Sequence, residues 1–132
     1  RYLCSLFRSG AHLLHDTSGA LSLDAYHLQP EDTAVLIGYA PYSREIIELA
    51  DAIRPQGCRV LALCDSRLAP MALHADCVLT FPTLGHSFFP STVALQALVE
   101  MLAQQLLVRS GEHALTELNR TEARLHATGA YQ

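Results

Sequence analysis

The fold is decided by the apolar run Thr33-Ala-Val-Leu-Ile37, which ends at Gly38, and by the run Arg44-Glu-Ile-Ile-Glu-Leu-Ala-Asp-Ala-Ile53 that follows it. The first run is short and apolar throughout, which is typical of a buried strand. In the second run the apolar residues recur at helical spacing, so one face packs and the other carries charge. Ser43 lies where a helix N-cap is expected, and Pro55 and Gly57 are expected to end the helix.

Two further apolar runs, Arg59–Leu63 and Cys77–Phe81, predict a second and a third strand with a short helix between them. Strands that are apolar throughout and separated by helices are buried on both faces, as in a parallel sheet with right-handed crossovers. Such a sheet carries its functional loops at the carboxyl ends of its strands. Those loops begin at Gly38, Cys64 and Phe81.

Organisation before Asp32 is predicted from shorter signals. Arg1 to Phe7 has the composition of the end of a helix, and Ala11-His-Leu-Leu-His15 predicts a short strand. Ser22 is a suitable N-cap for a brief helix that reaches His27.

Composition predicts one compact domain with an apolar surface patch. The chain has 132 residues, of which 50% are hydrophobic and 17% are charged, so it can bury a core without disulfides or metals. A surface this poor in charge suggests a protein partner, and we expect a homodimer or higher homo-oligomer. The net charge is −4, and all nine basic residues are arginine. This balance argues against nucleic-acid binding by the chain itself.

The cysteines and histidines do not form a recognisable metal or redox motif. Cys58, Cys64 and Cys77 lie in or beside apolar strands and are interpreted as buried, inert thiols. His12 and His15 flank a predicted strand with no carboxylate–cysteine pattern nearby, so no metal site is expected. A signal-peptide pattern is absent, so we expect a cytoplasmic location. The apolar segment from Phe88 to Val108 is interrupted by Gln96, Glu100, Gln104 and Gln105, which predicts a buried amphipathic helix and no membrane contact.

Five segments together resemble the sugar isomerase (SIS) domain, and specifically the effector-binding half of bacterial RpiR-type transcriptional regulators. They cover almost all of the chain and comprise Glu31–Glu45, Gly57–Ser66, Ala75–Leu79, His86–Ser91 and Leu107–Leu115. The resemblance implies an α/β fold, a three-layer α-β-α sandwich with a parallel, flavodoxin-like sheet. It also implies that residues 1–132 form a SIS domain whose N-terminal strand and Gly/Ser-rich loop are missing. A helix-turn-helix DNA-binding domain is expected upstream.

The resemblance places a ligand site in the loop after the first strand. In SIS domains this loop reads Ser-x-Ser-x-x-Ser/Thr and holds a sugar phosphate. The matching positions here are Gly38, Ala40 and Ser43, so two of the three hydroxyls are absent, and restoring them as serines is expected to tighten binding. Tyr39 and Tyr42 add aromatic faces that could stack on a sugar ring or close the site. The loop also meets a helix N-terminus, where backbone amides favour an anion.

Alternative roles remain open for the candidate residues. Ser43 could be a helix cap only, or a cap that also donates to a phosphate oxygen. His86 and Ser87 could face the ligand, or Ser87 could cap a helix that begins at Phe88 while His86 is solvated. Asp65 and Ser66 end the second strand at the same edge and are interpreted as a turn.

The predicted function is a regulatory domain that senses a sugar phosphate or a related acidic metabolite and acts on DNA only through an attached domain. We expect no catalytic residues and no cofactor. Two alternatives are a sugar-phosphate isomerase, with Glu45 or His86 as its base, and a degenerate SIS domain kept for dimerisation. The ligand-binding prediction comprises Gly38, Tyr39, Ala40, Tyr42, Ser43, His86 and Ser87.

Overall fold

The computed structural model of the chain describes residues 2–5, 7, 10–14 and 25–129. Two compact units are present, one made of residues 14–95 and the other of the two ends of the chain. The helices and strands, in chain order, are α1 (Tyr2–Ser5), β1 (Thr33–Gly38), α2 (Arg44–Ile53), β2 (Arg59–Cys64), β3 (Cys77–Thr80), α3 (Val93–Arg109) and α4 (Gly111–Ala127). Short 3-10 helices occupy Arg54–Gln56 and Pro70–His74.

The three strands form a parallel sheet in the order β1-β2-β3, as predicted from the apolar runs. Thr33 pairs with Arg59 at the start of β1, and Gly38 pairs with Cys64 at its end. Cys64 in turn pairs with Thr80 at the end of β3. The mixed α/β architecture with this sheet confirms the predicted fold class.

One face of the sheet carries the core of residues 14–95. Helix α2 buries Leu49, Ala50 and Ile53, the residues whose spacing predicted the helix. They pack with residues of β1 and β2 and with the 3-10 helix Pro70–His74, from which Met71 is fully buried. Each fully buried aliphatic side chain contributes roughly 1.5–3 kcal/mol, so this face supplies most of the packing that positions the strand ends.

The opposite face of the sheet is less covered than predicted. In β1 burial alternates, and Val35 and Ile37 are 50% and 43% exposed. The prediction that every strand is buried on both faces is therefore wrong for β1 and holds best for the central strand β2. Alternation is expected for a strand packed on one side only, since successive side chains point to opposite faces. Cys77 at the start of β3 is exposed for a related reason, because β3 is an edge strand of the described sheet, whereas Cys58 and Cys64 are buried as predicted.

Local chemistry explains where α2 begins and ends. Ser43 has extended backbone angles, and its hydroxyl accepts a hydrogen bond from the Ile46 amide at 3.4 Å, which is N-cap geometry. After the 3-10 turn Arg54–Gln56, Gly57 adopts φ 73°, a left-handed conformation that glycine adopts without steric penalty. The predicted helix boundaries and cap are both confirmed.

Helix α3 begins at Val93, five residues later than the predicted start at Phe88. Pro90 explains the shift, because proline lacks an amide hydrogen and disfavours helical angles at the residue before it. The helix is also less buried than predicted: of its residues only Ala103 is buried. Within the described part of the chain no helix is both long and apolar enough to cross a membrane.

The predictions for the N-terminal region have mixed outcomes. Helix α1 lies within the predicted helical segment. Residues 11–14 form no strand, so the prediction of a strand there is wrong for these residues. His15 and the predicted helix start at Ser22 lie outside the described residues.

Candidate ligand-binding site

The ends of the three strands lie side by side. Gly38, Cys64 and Thr80 are aligned across the sheet by its parallel register. The loops that follow, which begin at Tyr39, Asp65 and Phe81, therefore start at one edge of the sheet, where ligands bind in open parallel sheets. The sequence-based prediction of three neighbouring loops is confirmed by this register.

The loop 39–43 leads from β1 directly into α2. Its last residue, Ser43, uses its hydroxyl oxygen to accept from Ile46, so that oxygen already caps the helix. The hydroxyl hydrogen remains able to donate, because a serine hydroxyl both accepts and donates. Ser43 is exposed, and its position at the first turn of α2 places it beside backbone amides that favour negative charge.

Packing explains why position 38 holds a glycine, and the sequence alone did not reveal this. A Cβ atom at position 38 would overlap Cε of Met71 and lie 3.1 Å from its Sδ. Met71 is fully buried, so a Cβ atom at position 38 would require its flexible side chain to repack within the core. The space in which the SIS resemblance places the first loop hydroxyl is therefore filled by a methionine side chain.

Asp65, the first residue after β2, bonds to the 39–43 loop. One carboxylate oxygen accepts from the backbone amide of Ala40 at 3.2 Å. The other accepts from the hydroxyl of Tyr42 at 2.5 Å. The Tyr42 ring packs against the hydrophobic core, and this packing limits the movement of its hydroxyl. A single carboxylate thus fixes the loop at two points.

These bonds change the acidity of both side chains. The hydrogen bond to Asp65, with burial and the carboxylate charge adding to it, raises the pKa of Tyr42 to about 12. Burial opposes the charge of Asp65, but the hydrogen bonds from Tyr42 and Ala40 outweigh it and lower the pKa of this carboxyl. Donors that hold a carboxylate in its ionised form stabilise negative charge at this point of the loop.

The third loop contacts the first through aromatic rings. Tyr39 and Phe81 meet edge to face, with ring centroids 6.3 Å apart. Phe81 is buried, and its amide donates to the Cys64 carbonyl at 3.0 Å, which continues the pairing of β3 with β2. Tyr39 therefore has a packing partner in the residue that directly follows β3.

Five of the seven predicted site residues lie together, and the other two, His86 and Ser87, lie in the segment after β3. Gly38, Tyr39, Ala40, Tyr42 and Ser43 lie in one continuous segment. Among the described residues, no hydrogen bond or ring contact joins His86 or Ser87 to that segment. The Ser87 hydroxyl accepts from the Phe89 amide at 3.2 Å, which is a local turn and not the predicted cap of a helix.

The loop that carries His86 and Ser87 is closed by a hydrogen bond from the Ser91 amide to the Thr83 carbonyl at 2.8 Å. His86 is exposed at its surface. Within the described ranges, no group of three or more histidine, cysteine or acidic residues could hold a metal ion.

Sequence reasoning missed two residues that shape the site. The sequence predicts a turn at Asp65 and Ser66. Ser66 does form one, since its hydroxyl accepts from the Leu68 amide at 3.1 Å, but Asp65 itself reaches the neighbouring loop. Its place at the end of β2, beside the end of β1, was the available signal. Met71 carried no such signal, because it lies 33 positions along the chain from Gly38.

Comparisons with known proteins agree on the fold. A model of the SIS domain family matches residues 6–108. No curated protein matches the chain. The sugar isomerase domain of the RpiR transcription factor from Sphaerobacter thermophilus is similar in structure, with a TM-score of 0.82, 27% sequence identity, and coverage of 92% of this chain and 68% of that one.

The Vibrio vulnificus NanR protein, in a structure of its complex with ManNAc-6P, is also similar. Its TM-score is 0.76 at 20% identity, and the match covers 99% of this chain and 52% of NanR. At this identity the likeness concerns the fold, and the chain spans about half the length of NanR.

Proposed function

We propose, because the chain belongs to the SIS domain family, that it is the phosphosugar-sensing domain of an RpiR-type transcriptional regulator. In this proposal a sugar phosphate or related acidic metabolite binds at the 39–43 loop and at Gly38, the strand residue that precedes it. Binding of this ligand then changes the activity of a DNA-binding domain outside this chain.

One observation carries the proposal: the 39–43 loop already holds an anion. The Ala40 amide and the Tyr42 hydroxyl both donate to the carboxylate of Asp65 and keep it ionised. A loop at the carboxyl ends of parallel strands that stabilises negative charge is suited to a phosphate group. Tyr39, with its ring beside Phe81, provides an aromatic face for a sugar ring.

The similar solved structures support the same choice of function. One is the sugar isomerase domain of an RpiR transcription factor, and the other was solved with a sugar phosphate bound. Both proteins match most of this chain, so the comparison concerns the domain as a whole.

The first prediction concerns ligand binding. Phosphosugars at a hundredfold excess over Kd should stabilise the domain by about 2.7 kcal/mol, seen as a rise of several degrees in Tm for a domain of this size. Millimolar ligand should be needed, since Met71 fills the first hydroxyl position and Asp65 holds the Ala40 amide. Differential scanning fluorimetry with a panel of aldose and ketose phosphates measures the shift.

Ser43→Ala should lower the Tm without ligand, because a lost N-cap costs about 1 kcal/mol, and it should also reduce the ligand-induced shift. Ser110→Ala is the matched control, since Ser110 also bonds to backbone through its hydroxyl, which donates to the Leu106 carbonyl at 2.7 Å, but lies at the end of α3. A ligand shift that survives Ser43→Ala unchanged would place the ligand elsewhere and leave Ser43 as a cap only.

The second prediction is that common sugar phosphates are not interconverted. Isomerisation needs a base within hydrogen-bond reach of the substrate carbon. Glu45 lies on the exposed first turn of α2, and His86 makes no described bond to the 38–43 segment. Incubation followed by NMR of the sugar signals should show only the starting compound. Turnover that disappears in Glu45→Gln or His86→Ala would favour the isomerase instead.

A further inference from the structure

The donors that make the 39–43 loop suitable for an anion are already occupied. The Ala40 amide donates to one oxygen of Asp65, and the Tyr42 hydroxyl donates to the other. An amide has one hydrogen, so it cannot donate fully to a carboxylate and to a phosphate oxygen at once. A ligand that uses these two donors must take them from Asp65.

The negative charge of Asp65, like its hydrogen bonds, opposes the binding of a phosphate group at this loop. Two like charges a few ångströms apart repel, and partial burial weakens the screening by water. Asp65 and Tyr42 are both half-buried. A phosphate beside Ala40 would therefore meet an ionised carboxylate whose own bonds keep it ionised.

We propose that Asp65 is an internal competitor for the anionic part of the ligand, which holds the Ala40 amide and the Tyr42 hydroxyl until a phosphate group displaces it. The 39–43 loop then has two arrangements, one bonded to Asp65 and one bonded to ligand. Asp65 sets the ligand concentration at which the second arrangement is populated. The inference rests on the proposed function for the location of the anion, but its test uses inorganic phosphate and is independent of any sugar.

Neutralising Asp65 should strengthen phosphate binding. Asp65→Asn removes the charge and keeps the shape and one acceptor, whereas Asp65→Ala removes the charge and both acceptors. Each variant should bind inorganic phosphate about tenfold more tightly than the unaltered chain, the effect expected for one nearby unit charge in a partly solvated site. Titration calorimetry gives the Kd, and the ¹⁵N-¹H signal of Ala40 should move as phosphate is added.

The control is Asp76→Asn. Asp76, like Asp65, accepts from a backbone amide, here that of Val60 at 2.7 Å, but this bond lies near the start of β2, at the opposite end of the strand from the loops. Its substitution should leave the phosphate Kd unchanged. Comparing the Tm of all variants without ligand separates a change in affinity from a loss of folded protein, and Asp65→Asn serves if Asp65→Ala does not fold.

The outcomes separate this inference from the proposed function. Tighter phosphate binding by both Asp65 variants supports the inference even if no phosphosugar binds. Equal or weaker binding than in the unaltered chain overturns it, as does an absence of phosphate binding in all of them. A phosphosugar that binds the unaltered chain and the Asp65→Asn variant with equal Kd keeps the proposed function and rejects the competitor.

Discussion

Replacing Gly38 with serine should destabilise the domain by about 1–3 kcal/mol, the usual range for overpacking a well-filled core. The added Cβ would overlap the Cε of Met71, and Met71 is fully buried. Thermal or urea unfolding measures the loss. Gly10→Ser is the matched control, because a Cβ at Gly10 would meet no atom within 4 Å.

A double-mutant cycle assigns the effect to Met71. Met71→Ala alone should cost roughly 2–5 kcal/mol through the cavity it leaves. In that background Gly38→Ser should cost much less than it does alone, giving a coupling energy of about 0.5–3 kcal/mol. A Gly38→Ser variant as stable as the unaltered chain would show that Met71 moves aside freely.

The packing of Met71 against Gly38 also bears on ligand affinity. The SIS resemblance suggests that serine at position 38 would add a phosphate contact and tighten binding. In the structure that space is filled by Met71, so a gain in binding would have to exceed the cost of moving this side chain. Serine at Ala40, which is exposed, stays a prediction.

The second large effect concerns the mass of the particle that the chain forms in solution. Apolar side chains of α3 are exposed beyond the single stripe that packing on one partner would use: Val93, Met101 and Val108 are 77%, 62% and 74% exposed. We expect this surface to bind a second copy of the chain. Light scattering at micromolar concentration should give twice the 14.4 kDa of one chain.

Charge on the same surface should prevent association. Met101→Glu combined with Val108→Glu places two like charges in an apolar interface, where unpaired charge is strongly disfavoured. Asn119→Asp is the control, since it adds one charge at an exposed position of α4, outside the α3 surface. A 14.4 kDa particle from the unaltered chain would contradict the prediction.

Local signals in the sequence predicted the sheet and α2 well. Thr33–Ile37 and the helical spacing in Arg44–Ile53 each specify one element, and Ser43 specifies where the helix begins. These features depend on neighbours within a few residues, and short-range patterns report such features. The late start of α3 follows from Pro90, whose effect on a helix boundary is also local and could have been recognised.

The site was harder to predict because its decisive contacts are long-range. The sequence placed Ala40 correctly in the loop after β1, while Gly38 is the last residue of that strand. It could not show that Met71 fills the space beside Gly38 or that Asp65 bonds to Ala40. Both contacts depend on how the end of β1 and its loop pack against the segment that follows β2. A pattern along the chain identifies a loop, whereas its partners depend on packing.

The short sequence distances across the sheet also determine how this part of the chain can fold. The Val60–Asp76 bond spans 16 positions, and the Ala40–Asp65 bond spans 25. Closing loops of this length costs little entropy, because that cost grows only with the logarithm of loop length. Parallel sheets are usually slow to form because their strands are far apart in sequence. Here each strand pairs with the next one in the chain, β1 with β2 and β2 with β3, so the edge that carries the loops is built entirely from contacts within residues 33–80.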